Sequence, residues 1–388
     1  MSAASILIKP SSANCNIDCE YCFYKCLSSN REAYSKGFMT EETLEQLVMQ
    51  AFAYAGDYVA FAFQGGEPTL AGIGFFEKAV ELQKKYNTNN RIVENTIQTN
   101  GILLDENWAA FLAKNHFLVG LSLDGPQKLH DRYRKDVQGR GTFGRIIKAA
   151  ALLEQYHVDY NIVSVITKES ADRAGYLYKF YKKQGYRYLQ LIPCMDERKR
   201  NQPTGGAEDL SGKPESFAVA PEQYGRFLCE MFDLWYADFC RGSQMDIRMF
   251  SNLAQMAAGY PAEECGMSGR CSCYFVVEGD GSVYPCDFYC TDVWRLGSLQ
   301  ESFQSLAESQ KAGEFVAASE EVHTKCKKCR HFSLCRGGCR RWRETGMDGT
   351  IGLNGLCGAY ELLFEHAQAR IHKLGQYIAV KEAQNKMV

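Results

Sequence analysis

Fourteen of the seventeen cysteines in this 388-residue chain crowd into three stretches. An odd number cannot all pair, and a disulfide framework would spread its cysteines through a small secreted domain. Cysteines grouped at ligand spacing point instead to metal in a reducing compartment. The rest of the composition removes other classes. With 46% hydrophobic and 23% charged residues, the chain reads as globular, which excludes disordered and collagen-like structure. A formal charge of −2, from 44 basic against 46 acidic residues, gives no electrostatic case for nucleic acid or an anionic membrane. No run of about 18 apolar residues occurs, and Met1–Cys15 lacks a basic segment followed by an apolar stretch, so a cytoplasmic protein is expected.

The first half alternates short β-rich runs with amphipathic patterns. Strands are expected at Ser5–Lys9, Tyr58–Phe63, Arg91–Gln98, Phe117–Leu123, Tyr160–Thr167 and Tyr188–Ile192. Helices are expected at Glu41–Tyr54, Phe75–Tyr86, Glu106–Lys114, Phe143–Tyr156, Ala171–Lys183 and Pro221–Arg241, with Thr40 and Thr142 as N-caps. Six successive β–α units imply an α/β fold, a partial or full parallel barrel, over residues 1–240. Asn201–Ala220, rich in Gly, Pro, Ser and charge, reads as a surface insertion. Residues 241–388 form a second, cysteine-rich domain with a β-hairpin around Gly279-Asp280-Gly281 and a final helix at Ala359–Leu374. Gly139–Gly144 fits G-x-G-x-x-G, but no buried strand precedes it, so a dinucleotide site is rejected.

Cys15-x3-Cys19-x2-Cys22 follows the first strand, in a loop that a β/α barrel presents on its active face. Three thiolates can hold three irons of a 4Fe–4S cluster and leave the fourth open, whereas a closed zinc site wants four ligands. Gln64-Gly65-Gly66-Glu67-Pro68 follows the second strand, and a Gly-Gly pair lets backbone approach a ligand closely. Farther on stand Cys265, Cys271 and Cys286, then Cys326, Cys329, Cys335, Cys339 and Cys357: eight ligands, enough for two fully coordinated clusters or for zinc.

The stretch CNIDCEYCF resembles the signature of radical S-adenosylmethionine (SAM) enzymes, and Gly65–Pro68 resembles that superfamily's GGEP motif. The resemblance implies a partial (βα)6 TIM-like barrel whose first cluster holds SAM and cleaves it reductively to a 5′-deoxyadenosyl radical. Tyr21, Gln64, Gly65, Gly66, Glu67, Ser122, Arg134 and Met195 are the matching SAM positions. The C-terminal cysteines resemble the SPASM extension with its two auxiliary clusters, three 4Fe–4S clusters in all. By that match Cys265, Cys271, Cys286 and Cys339 hold one, and Cys326, Cys329, Cys335 and Cys357 the other. Cys271, not Cys273, gives the family's interval to Gly281.

Within SPASM proteins, YPCDFY at 284–289, RGGCRR at 336–341, FAFQGGEPTLAG at 61–72 and QTNG at 98–101 are similar to anaerobic sulfatase-maturating enzymes. These oxidise a Cys or Ser of a sulfatase C/S-x-P-x-R motif to Cα-formylglycine. The resemblance implies hydrogen abstraction from Cβ by the deoxyadenosyl radical, Asp287 as general base, an auxiliary cluster taking the second electron, and Tyr24 against the substrate. Implied partners are an unfolded or nascent sulfatase and an electron donor such as flavodoxin or ferredoxin, with the enzyme a monomer. Two other readings compete. One is a SPASM enzyme forming thioethers in a small peptide, and the other a non-catalytic iron–sulfur or zinc scaffold.

Overall fold

The computed structural model describes residues 3–195, 217–243, 245–344 and 350–385. It contains two compact units that interleave along the chain: 1–123, 130–162 and 272–316 form the first, and 124–129, 163–271 and 317–388 the second. These units cut across the expected segments 1–240 and 241–388, because the hairpin of the cysteine-rich half pairs with the first strand of the chain.

In the first unit, β1 (Ala4–Ile8), β2 (Tyr58–Phe63), β3 (Ile92–Thr99) and β4 (Phe117–Ser122) run parallel in that order. On the other side of β1 lies β8 (Phe275–Val277), also parallel, with Ile6 opposite Phe275. β8 turns back through Gly279–Gly281 into antiparallel β9 (Ser282–Tyr284), which pairs with β10 (Gly297–Ser298). Val59, Phe61 and Phe63 alternate inward along β2. They meet the inward face of helix 73–86, where the Phe63 and Phe76 rings lie 4.9 Å apart and Phe76 meets Trp108 at 5.2 Å. Burial of such rings, about 1.5–3 kcal/mol each, is what fastens helix to sheet.

Helices span Glu41–Tyr54, Ile73–Tyr86, Glu106–Lys114 and Phe143–Gln155. Thr40 caps the first as expected, its hydroxyl accepting from the Thr43 N–H at 3.2 Å. Thr142 does not cap. Its hydroxyl donates to the Arg134 carbonyl at 3.0 Å and meets His130 Nε2 at 2.9 Å, so the side chain ties the helix to residues 130–134. A helix not expected from the pattern, Phe23–Ser29, starts directly after Cys22.

β5 (Tyr160–Ile166) crosses the division between units. In the second unit β6 (Tyr188–Pro193) pairs parallel with β7 (Asp246–Ile247). The expected helix Ala171–Lys183 is two: a Thr167–Ser170 capping box closes the single turn Lys168–Ala171, and a new helix runs Ala174–Gln184. Helix Pro221–Phe239 packs on the long Cys357–Asn385, which outruns the expected Ala359–Leu374 at both ends. Gly225 makes the close approach possible, since a Cβ there would stand 3.1 Å from Ala359 Cα. Residues 201–216 of the expected insertion lie outside the described residues. Among the described residues no helix is long and apolar enough to cross a membrane.

Candidate functional site

The loop after β1 carries Cys15, Cys19 and Cys22, and the loop after β2 fixes its course. The Gly66 N–H donates to Ser12 O and the Glu67 N–H to Asn14 O, both at 2.8 Å. Such closeness requires glycine: a Cβ on Gly66 would lie 2.1 Å from Asn14 O. Gly65 has φ +99°, a conformation that side chains rarely adopt. The Gly-Gly pair therefore moulds the cysteine loop. Burial pushes the Cys15 thiol up to about 12, with Glu67, Cys19 and Cys22 close enough to add to the shift. Asn100 Nδ2 reaches Cys15 Sγ at 3.8 Å and Asn16 Oδ1 at 2.7 Å. Asn100 stands in the QTNG stretch but was given no role from sequence.

Glu67 is buried, and its Oε1 accepts from the Thr69 N–H (3.1 Å), Thr69 Oγ1 (2.6 Å) and Thr99 Oγ1 (2.7 Å). Oε2 accepts from the Asn100 N–H at 2.8 Å. Every one of these donors is neutral. Burial raises the carboxyl's pKa, and these hydrogen bonds only partly offset it. A buried carboxylate served only by neutral donors lacks a counter-charge, and the ammonium group of an amino acid is of the right sign to supply it. The residues thus fit SAM at this end, beside three thiols suited to a cluster.

The other expected SAM positions are placed as follows. Tyr21 and Arg134 come together, the guanidinium 5.5 Å from the ring centroid, with Tyr133 5.9 Å from Tyr21. Ser122 Oγ accepts from Gln98 Nε2 at 3.0 Å, and Gly120 leaves space for that side chain. Met195 belongs to the second unit, its methyl 3.4 Å from where a Cβ on Gly355 would stand. Gln64 sits elsewhere than its motif suggests: Nε2 donates to Tyr24 Oη at 2.8 Å and lies 3.4 Å from Asp287 Oδ2.

That contact leads to a second group of residues in the first unit. Asp287, buried just after Cys286, accepts from Tyr24 Oη at 2.6 Å on Oδ2. Its Oδ1 lies 3.0 Å from Lys9 Nζ, at the end of β1. Lys9 is 3.5 Å from Glu278, and Glu278 pairs with Arg31 at 2.7 Å. Burial works against the Lys9 charge, but Asp287, Cys290 and Glu278 outweigh it and hold the ammonium protonated. The Tyr24 hydroxyl is pushed well above its ordinary range by burial and by Asp287. The Asp287 N–H donates to Tyr274 Oη at 3.2 Å, and that hydroxyl lies 3.3 Å from Cys286 Sγ. Tyr24, expected as a substrate contact, is therefore bonded to the expected base. Lys9, Arg31 and Glu278 were missed: the charged partners stand 247 or more residues apart, beyond any spacing rule.

In the second unit the thiols fall into two sets. Cys339 lies within electrostatic range of Cys265 and Cys271, while Cys335 and Cys357 are each in range of Cys326 and Cys329. Cys339 is thus in range of Cys265 and Cys271 and not grouped with its sequence neighbour Cys335. Cys273, the other candidate for the Cys271 position, is raised to about 12 by burial alone. None of the seventeen cysteines forms a disulfide.

Comparison with known proteins agrees with this layout. Residues 10–180 match the radical SAM superfamily and residues 265–330 an iron–sulfur cluster-binding domain, SPASM. The chain is 45% identical over 372 residues to a cysteine-type anaerobic sulfatase-maturating enzyme of Clostridium perfringens, covering 96% of this chain and 98% of that one. It is 32% identical to a serine-type enzyme of Bacteroides thetaiotaomicron, covering 93% of this chain and 88% of the relative. A solved structure described as native anSMEcpe with bound AdoMet and Cp18Cys peptide superposes with TM-score 0.89 at 43% identity, covering 97% of this chain and all of that one.

Proposed function

Because the chain belongs to the anaerobic sulfatase-maturating enzymes of the radical SAM superfamily, we propose that it oxidises the cysteine of a sulfatase C-x-P-x-R segment to Cα-formylglycine. Cysteine is preferred over serine here because identity to the cysteine-type relative, 45%, exceeds the 32% to the serine-type one. The observation that carries the reading is Asp287: a buried carboxylate, held by Tyr24 and Lys9, on the residue after Cys286.

Bound SAM and its cluster would supply the radical that removes Hβ from the substrate cysteine. Cys15, Cys19 and Cys22 would hold that cluster, Glu67 would meet the ammonium of SAM, and Tyr21 and Arg134 would line its adenosyl end. The chain's own chemistry lies in the proton. Asp287 takes the thiol proton, Tyr24 and Gln64 orient its Oδ2, and Lys9 fixes Oδ1 so that one carboxylate oxygen faces the substrate. Cys265, Cys271, Cys286 and Cys339 would hold one auxiliary cluster and Cys326, Cys329, Cys335 and Cys357 the other, either of which would supply an acceptor for the second electron; water then hydrolyses the resulting thioaldehyde to the aldehyde, with the sulfur leaving as H2S. Substrate enters as an unfolded sulfatase polypeptide, and the reductant is of the flavodoxin or ferredoxin class.

The test is anaerobic incubation of reconstituted protein with SAM, dithionite and a Cys-x-Pro-x-Arg peptide, with mass spectrometry of peptide and 5′-deoxyadenosine. The native protein yields an aldehyde peptide. Asp287→Asn still yields deoxyadenosine but at least about 100-fold less aldehyde, the usual scale for losing a general base. Native protein that makes deoxyadenosine and leaves the peptide unchanged refutes the reading and favours another peptide as substrate.

A further inference from the structure

Arg343 follows the RGGCRR stretch and is among the largest fully buried side chains of the protein. Its guanidinium donates to two main-chain carbonyls, Glu321 O at 2.5 Å and Ser319 O at 2.6 Å. Nε has no partner. Arg340, three residues earlier, is paired with Glu344 at 2.8 Å, but among the described residues Arg343 has no carboxylate within ion-pair distance. Arginine cannot shed its proton to escape burial. A buried cation without a counter-charge is costly; among the described residues no acidic side chain balances this charge, and the anion must be sought elsewhere.

The surroundings identify that anion. Ser319, whose carbonyl takes one guanidinium bond, uses its hydroxyl to accept from the Cys271 N–H at 2.8 Å. A Cβ on Gly337, between Cys335 and Cys339, would stand 3.8 Å from the Arg343 Nη1. The guanidinium is within electrostatic range of the Cys271 and Cys339 thiols of one set and of Cys326 in the other. As thiols these are neutral and balance nothing. Four thiolates around an oxidised 4Fe–4S core carry a net double negative charge, and cluster potential responds to charge nearby.

We propose that Arg343 is the common counter-charge of the two auxiliary clusters and raises both of their reduction potentials together; this rests on the reading that both C-terminal cysteine sets hold clusters. Each cluster gains one electron on reduction, making it more negative, and a fixed cation beside it stabilises that reduced form. Arg343 is a positioning residue in this sense: it touches no substrate, and it makes the clusters better electron acceptors.

The experiment is an EPR-monitored redox titration of the reconstituted full-length protein, native, Arg343→Met and Arg343→Lys, with iron and sulfide counted in each. In Arg343→Met both auxiliary potentials should fall, by a tenfold change or more in the reduced-to-oxidised ratio, which is about 59 mV for one electron. The cluster at Cys15, Cys19 and Cys22 in the same molecule should not move. Arg343→Lys keeps the charge and should keep most of both potentials. Should Arg343→Met fail to assemble, retention of iron by Arg343→Lys with near-native potentials supports the charge, and shifted potentials in the Lys variant overturn it. Two clusters with unmoved potentials, or only one moved, overturn the inference alone. Native protein with iron for a single C-terminal cluster overturns the reading of the two sets and the inference with it.

Discussion

Replacing Gly66 with Ala tests whether the Gly-Gly pair shapes the cysteine loop. The new Cβ would stand 2.1 Å from Asn14 O, 2.6 Å from Asn14 C and 2.8 Å from Ala13 C, all main-chain atoms with no rotamer to yield. Relief to an ordinary 3.4 Å requires a displacement of about 1.3 Å. That shift would stretch the Gly66 N–Ser12 O and Glu67 N–Asn14 O bonds, now 2.8 Å each, past hydrogen-bonding distance. Two lost bonds at about 0.5–1.5 kcal/mol each and overpacking of about 1–3 kcal/mol give a local cost of about 2–6 kcal/mol. The loop bearing Cys15 moves with Asn14, so the first cluster should be lost while the C-terminal sets keep theirs. Iron and sulfide analysis after anaerobic reconstitution, with EPR of the reduced protein and calorimetric SAM binding, reads this out. Gly74→Ala is the control: nothing lies within 4 Å of its Cβ and it sits in helix 73–86, so it should be neutral or stabilising by up to about 1 kcal/mol. Native iron content and SAM affinity in Gly66→Ala would refute the argument.

Further outcomes follow from the same geometry. Burial works against ionisation of Glu278, yet Lys9 and Arg31 outweigh it and hold its pKa below the ordinary 4.5. A lowered carboxyl pKa contributes stability above that ordinary value and loses it as pH falls through the folded one. Glu278→Gln should therefore lose about 3–5 kcal/mol near pH 7, and its urea midpoint should fall less steeply in acid than the native one; parallel profiles would exclude the linkage. Asn252 is buried, and its Oδ1 accepts from the Glu263 N–H at 2.6 Å and the Glu264 N–H at 3.2 Å, just ahead of Cys265. Asn252→Leu leaves both donors unserved at about 1–3 kcal/mol each, and reconstituted protein should lose auxiliary iron before the iron at Cys15, Cys19 and Cys22. Asn100→Ala removes the amide beside Cys15 Sγ, and should lower the potential of that first cluster in a redox titration while leaving the auxiliary ones where they were.

What was legible in the sequence is what local rules govern. The helix Glu41–Tyr54 and the strand Tyr58–Phe63 end where their periodicity ends, and Thr40 caps because a cap is decided within three residues. Thr142 has the same type and a similar position, but its hydroxyl is claimed by Arg134 and His130, a tertiary competition that no window of sequence contains. Spacing alone would group Cys339 with Cys335, four residues before it, yet in the fold Cys339 is in electrostatic range of Cys265 and Cys271 while Cys335 is in range of Cys326, Cys329 and Cys357. The partners of Gln64 were likewise beyond local rules. Its neighbours Gly66 and Glu67 work on the cysteine loop, but at the end of a β-strand successive side chains diverge, and Gln64 is delivered to Tyr24 and Asp287.

The charges around Asp287 explain how its carboxyl group can be buried. Two cations, Lys9 and Arg31, face two acidic side chains, Glu278 and Asp287, at ion-pair distance, and buried groups of opposite charge are tolerable when matched in this way. The two oxygens have different partners: Oδ1 lies against the ammonium, and Oδ2 accepts from a hydroxyl and an amide. Lys9 comes from the end of β1 and Glu278 from the residue after β8, strands that pair in register from Ile6 to Ile8. Docking the cysteine-rich hairpin onto the first strand is thus what brings Glu278 to Lys9, beside Asp287.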